Sequence, residues 1–119
     1  MELEGIIMNL KEKEQEGIVI LELSGKVMGG PDANLLSEKL HELVDRKKTK
    51  VVADLGKVSW MNSSGLGILI GGLTTMRNNN GDLKLVNVTE RIKSLLIITK
   101  LITIFETFDA VEDALASFN

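Results

Sequence analysis

The chain reads as an α/β domain with a small, mainly parallel sheet and helical crossovers. Two observations predict this. Short apolar runs of strand type alternate with apolar stripes at helical spacing along the whole chain. The length, 119 residues, fits one compact domain, so residues 1–119 are read as a single unit.

The elements follow in order. Ile6, Met8 and Leu10 alternate with Ile7, Asn9 and Lys11, the pattern of a half-exposed edge strand, and Glu14 to Gly17 read as its turn. Ile18 to Leu23 is more continuously apolar, as an inner strand requires. Gly25 to Gly30 read as a loop, and Pro31 suits the first turn of a helix. Ala33, Leu36, Leu40, Leu43 and Val44 then fall on one helical stripe. Lys50 to Leu55 is a second inner strand, followed by a link ending Val58-Ser59-Trp60-Met61. The next helix places Leu66, Leu69, Ile70, Leu73 and Met76 on one face and ends at Asn78 to Gly81. Leu83 to Val88 is a strand, Ile92, Leu95, Leu96 and Thr99 a helical stripe, and Ile104-Phe105 a short strand. Asp109 and Glu112 suggest a cap pair before a last stripe of Val111, Ala114, Leu115 and Phe118.

Composition narrows the function classes. The chain is 44% hydrophobic, but only four residues are Phe or Trp, so aliphatic side chains and Met must fill the core. A net charge of −3 argues against nucleic acid as a partner. Arg46, Lys47, Lys48 and Lys50 are read as cations complementing a helix C-terminus. There is no cysteine, hence no disulfide and no thiolate metal site. The acidic start Met1-Glu2-Leu3-Glu4 is unlike a secretory signal, and the apolar run Gly65 to Leu73 is too short to span a bilayer. A cytoplasmic protein without direct membrane insertion is expected.

The chemistry concentrates in Asn62-Ser63-Ser64-Gly65-Leu66-Gly67, where a strand, a turn and a helix start meet. In parallel sheets, ligands and partners collect beyond the carboxyl ends of strands. On residue chemistry alone, Ser63 and Ser64 are helix caps. Gly65, Gly67, Gly71 and Gly72 each weaken a helix by about 1 kcal/mol relative to Ala, so they need a reason. Close packing of helix on sheet is one; a small-residue stripe of Gly67, Gly71 and Thr74 that admits a partner helix is the other. The glycines nearly form a dinucleotide fingerprint, but the third comes one place late, and the next strand ends at Asn87 where an acid is wanted. A serine hydrolase lacks its base: the one histidine, His41, lies mid-helix, and no Gly-x-Ser-x-Gly is present. No Asp, Glu and His cluster has metal-ligand spacing, no cofactor is implied, and Asp54 is read as bonding the loop after its strand.

These residues carry a resemblance. Val51, Val52, Asp54 and Leu55, then Ser63-Ser64-Gly65-Leu66-Gly67, then Leu101 and Ile104 to Leu115, resemble the STAS-domain family, in particular its bacterial anti-sigma-factor antagonists. The resemblance implies a single STAS-type domain with an antiparallel N-terminal edge strand. It implies a non-catalytic protein that, unphosphorylated, binds an anti-sigma factor with a histidine-kinase-like ATP-binding fold and so releases a sigma factor. That factor phosphorylates a serine, and a metal-dependent serine phosphatase restores it. Ser63 matches the phosphoacceptor position, with Ser64 second; Asn62 stands where phosphorylated members usually carry Asp, and Lys100 where glycine is frequent. Met28 and Gly29, with Asn62, Ser63, Ser64, Gly65, Gly67 and Gly71, are the expected partner surface. Of Ile97, Ile98 and Leu101, at least Ile97 is expected on the surface. Two other readings stand: a STAS scaffold in a transport or signalling assembly that is not phosphorylated, and a small α/β nucleotide-binding protein or enzyme.

Overall fold

The computed structural model describes residues 8–118, and Asp32 through its backbone alone. Ile6 and Ile7 of the expected edge strand lie outside the described residues. The described chain forms β1 (Met8–Gln15), β2 (Ile18–Val27), α1 (Pro31–Asp45), β3 (Lys50–Met61), α2 (Ser63–Asn78), β4 (Asp82–Val86), α3 (Glu90–Ile98), β5 (Thr107–Phe108) and α4 (Val111–Ser117). The sheet runs β1-β2-β3-β4-β5. β1 is antiparallel to β2, and every other neighbouring pair is parallel. The α/β fold and antiparallel edge strand are therefore as expected.

Strand order equals chain order, and parallel crossovers share one hand. α1, α2 and α3 therefore all stack on one face of the sheet. Leu36, Leu40 and Leu43 of α1, Leu66, Leu69 and Leu73 of α2 and Ile92 and Leu96 of α3 join the sheet residues Leu21, Leu23, Ala53, Leu55 and Leu85 in one core. The other face carries a smaller cluster, in which Ala114 and Leu115 of α4 cover Ile18, Ile20, Val52 and Val86. Beside it Lys84 is buried at 5% exposure. Its ammonium donates to Ser117 Oγ at 2.7 Å, lies 3.2 Å from Glu106 Oε1 and sits 4.2 Å from the centre of the Phe118 ring. One cation thus fastens the end of α4 to β4.

Several boundaries differ from the sequence expectation. The β1–β2 turn is only Glu16-Gly17, with φ of 58° and 80°; two positive values make the hairpin turn whose twist matches the strands. β2 continues through Gly25, Lys26 and Val27, so the loop before α1 is Met28 to Gly30. β3 runs through the expected link to Met61. The last strand is Thr107–Phe108 and not Ile104-Phe105; Phe105 instead drops into the main core. α4 has Ala110 at its N-cap with no side-chain cap bond, so the Asp109–Glu112 pair is not formed as a cap. The basic group after α1 contributes no cation to its last turn. Arg46 and Lys48 reach Glu12 and Glu14 on β1, and so tie the edge strand to the helix end.

Candidate functional site

β2 and β3 are parallel neighbours, and each ends in a helix on the same face. Two helix N-termini therefore stand side by side beyond their carboxyl ends: α1 after Met28-Gly29-Gly30 and α2 after Asn62. Free N–H groups and the positive dipole ends gather there.

Asn62 is the N-cap of α2, in extended geometry, and its Oδ1 accepts from the Gly65 N–H at 2.8 Å. The serines therefore do not cap, contrary to the reading from residue chemistry. Ser63 and Ser64 are the first two residues of the helix, and both are exposed. Among the described residues, neither hydroxyl makes a hydrogen bond. No base among the described residues is hydrogen-bonded to either hydroxyl.

The glycines divide between the two readings. A Cβ at Gly65 would land on the Val27 carbonyl oxygen. One at Gly72 would press on Leu40 of α1 and Leu83 of β4. These two are close-packing residues. Gly67 and Gly71 have nothing within 4 Å of an added Cβ. They floor a groove of about 220 Å³ between α1 and α2, with Ala33, Ser37, Leu40 and Thr75 also lining it. Gly29 has φ of 95°, and an added Cβ there would lie 3.1 Å from Ser64 Cβ. The Met28–Gly30 loop and the serine turn thus lie against each other. Met28 itself is 37% exposed.

A profile of the STAS domain matches residues 9–114. The chain belongs to the STAS domain family. An anti-sigma-B factor antagonist of Bacillus subtilis (strain 168) is 32% identical over 94 residues, covering 79% of this chain and 84% of that protein. The crystal structure of an anti-sigma factor antagonist from Mycobacterium paratuberculosis has the same fold, with a TM-score of 0.79 over 92% of each chain at 21% identity. So does the phosphorylated form of the Bacillus cell fate determinant SpoIIAA, with a TM-score of 0.71 over 93% of this chain and 100% of that one at 16% identity.

Asp54, Asn87 and His41 of this STAS domain have hydrogen-bond partners within the fold. Asp54 Oδ1 accepts from the Gly56 N–H at 3.0 Å and from Asn87 Nδ2 at 3.1 Å. It ties β3 to the turn after β4, and the Asn87 amide donates to the Asp54 carboxylate. His41 is exposed, its Nδ1 2.9 Å from the Ser37 carbonyl in the preceding turn. Ile97 and Ile98 are exposed at 55% and 77%. Among the described residues, no helix is long and apolar enough to cross a membrane.

Two features were not legible beforehand. One is the cap, because three successive residues, Asn62, Ser63 and Ser64, are all good N-cap formers. The other is an exposed pair beside the site: the Arg91 guanidinium lies 4.5 Å from the centre of the Trp60 ring. A lone Trp just before the serine turn was the only sequence signal for it.

Proposed function

We propose that this STAS domain is an anti-sigma-factor antagonist that works by partner switching in the cytoplasm and carries no catalysis of its own. Unphosphorylated, it binds an anti-sigma factor that is also a serine kinase with a histidine-kinase-like ATP-binding fold, and a sigma factor is released. Phosphorylation at Ser63 ends the binding, and a metal-dependent serine phosphatase reverses it. ATP and its metal belong to the partner.

The observation that carries this reading is the Ser63 hydroxyl: exposed, without a hydrogen bond among the described residues, on the first residue of a helix that Asn62 already caps. A phosphoryl group there adds about −1.5 to −2 of charge near neutral pH. It would meet free N–H groups and the positive end of the α2 dipole, so the fold accommodates it. A partner packed on Ser63, Gly67, Gly71 and the Met28-Gly29 loop would instead face a hydrated dianion. The names of the sequence relatives support the same reading.

The test is phosphorylation of the chain by a serine-kinase anti-sigma factor and ATP, with the site mapped by mass spectrometry. Modification at Ser63, abolished in Ser63→Ala, is expected. Modification of Ser64 alone, or none by a kinase that binds, overturns the assignment.

A further inference from the structure

β2 and β3 overrun the sheet on the side of the serine turn. β4 ends at Val86, opposite Asp54, whereas β2 and β3 stay paired, across two shifts of register, as far as Val27 and Met61. Val27 and Met61 point into the main core. Adjacent residues of a strand point to opposite faces, so Lys26 and Trp60, which pair with each other beyond the last shift of register, face away from the core on this overhang. Both are exposed, Trp60 at 39%. Arg91, in the first turn of α3, lays its guanidinium on the Trp60 ring.

Among the described residues the charges of this patch have no acidic counterpart. Of the three arginines, Arg46 pairs with Glu12 and Glu42, and Arg77 with Asp82. Among the described residues Arg91 has no acidic partner, and Lys26 has none either. A cation in the first turn of a helix also meets the unfavourable end of the dipole. Among the described residues no ion pair stabilises Arg91, in a chain whose net charge is −3. The Trp60 ring, its centre 4.5 Å from the guanidinium, holds Arg91 beside the overhang, and a guanidinium is the side chain best shaped to take a carboxylate through two N–H bonds. Trp and Arg are also the residue types enriched where binding energy concentrates. Each strand of the overhang runs directly from the patch into the serine site, Lys26 into Met28-Gly29 and Trp60 into Asn62-Ser63.

We infer that Trp60, Arg91 and Lys26 extend the partner surface and receive an acidic, carboxylate-bearing patch of the anti-sigma factor. The inference rests on the function proposed above. It adds a reason for the switch: a partner that is acidic at this place is the kind most strongly repelled by a dianion on Ser63.

The test uses the full unphosphorylated chain and the purified serine-kinase anti-sigma factors of its own organism, with affinity measured at two salt concentrations. The single Trp supplies the signal. Wild type binds one of them with a change in Trp60 fluorescence. Arg91→Gln weakens that binding about tenfold or more and flattens its salt dependence, with Lys26→Gln in the same direction, as expected for charge pairs across an interface. Lys100→Gln, which removes a cation at the far end of α3, keeps wild-type affinity. All three variants unfold as wild type does. Wild-type affinity and salt dependence in both Arg91→Gln and Lys26→Gln overturn the patch and leave the proposed function standing. A wild-type chain that binds none of these factors overturns the proposed function, and the patch with it.

Discussion

A methyl group at Gly65 would collide with a backbone carbonyl, whereas one at Gly67 would project into an open groove. Gly65→Ala is therefore expected to destabilise the domain by more than about 3 kcal/mol, since neither the α2 backbone nor Val27 can give way cheaply. Gly67→Ala should stabilise it by roughly 0.5–1 kcal/mol through helix propensity. Under the proposed function, the same methyl group weakens partner binding. Denaturant unfolding separates the two, and equal effects of both substitutions would contradict the packing described. Asn62 makes a third case. Removing its Oδ1 as Asn62→Ala should cost about 1 kcal/mol as a lost cap, while Asn62→Asp keeps the acceptor and the stability. The spacing of serines and glycines was legible in the sequence because a helix start is a local event. Which of Asn62, Ser63 and Ser64 caps was not, because the answer depends on how far β3 continues, and β2 beside it decides that.

At the scale of elements, three helices end in one way. Lys47, Asn80 and Lys100 have φ of 61°, 65° and 64°. The following N–H groups of Lys48, Gly81 and Leu101 return to Leu43, Met76 and Leu96. Each is the left-handed residue after a helix, where glycine is least strained. A glycine at the Lys100 position, as the family resemblance implies, would suit this conformation. Lys100→Gly is expected to raise stability by a few tenths to about 1 kcal/mol, and a loss in unfolding experiments would contradict it. A second prediction concerns the tie between β1 and α1. The Lys39 ammonium, donating to Glu12 at 2.9 Å, and then Arg46 hold the Glu12 carboxyl below its ordinary value. Hydrogen bonds to Glu42 and Glu12 raise Lys39. A depressed carboxyl contributes stability above its unfolded pKa and loses it as pH falls through the folded one. The stability difference between wild type and Glu12→Gln should thus be present at pH 7 and shrink below about pH 4. A pH-independent difference would mean that packing, not charge, makes the tie. Strand and helix order was readable throughout, since the buried stripes repeat at their own periods. The ends of β2 and β3 were not, because Lys26, Ser59 and Trp60 lie on an overhang covered on one face only, and bulges break the alternation. Ile104-Phe105 looked like a strand because it is apolar, but Phe105 is buried from a turn.

For the whole molecule, the proposed switch must change binding without changing the fold, and its charges allow this. The core lies beneath α1, α2 and α3, whereas Ser63 stands at the rim with its hydroxyl outside every hydrogen bond of the described residues. Phosphorylation breaks no contact. It places negative charge at one helix N-terminus and beside another, where such charge is worth about 0.3–1 kcal/mol of stability at low salt. The phosphorylated chain should therefore unfold no earlier than the unmodified one. Its affinity for the anti-sigma factor should fall by about a hundredfold or more, because a desolvated interface cannot take in an unpaired dianion. Ser63→Asp should follow in the same direction with a smaller loss, having one charge instead of nearly two. Ser63→Ala should bind as the unmodified chain does. It forfeits only a hydroxyl that caps nothing, so its unfolding midpoint stays close to wild type. Calorimetric titration and thermal unfolding of all four proteins check this together. A phosphorylated chain that loses both its partner and its stability would place the switch in the fold, and one that keeps full affinity would remove Ser63 from the interface.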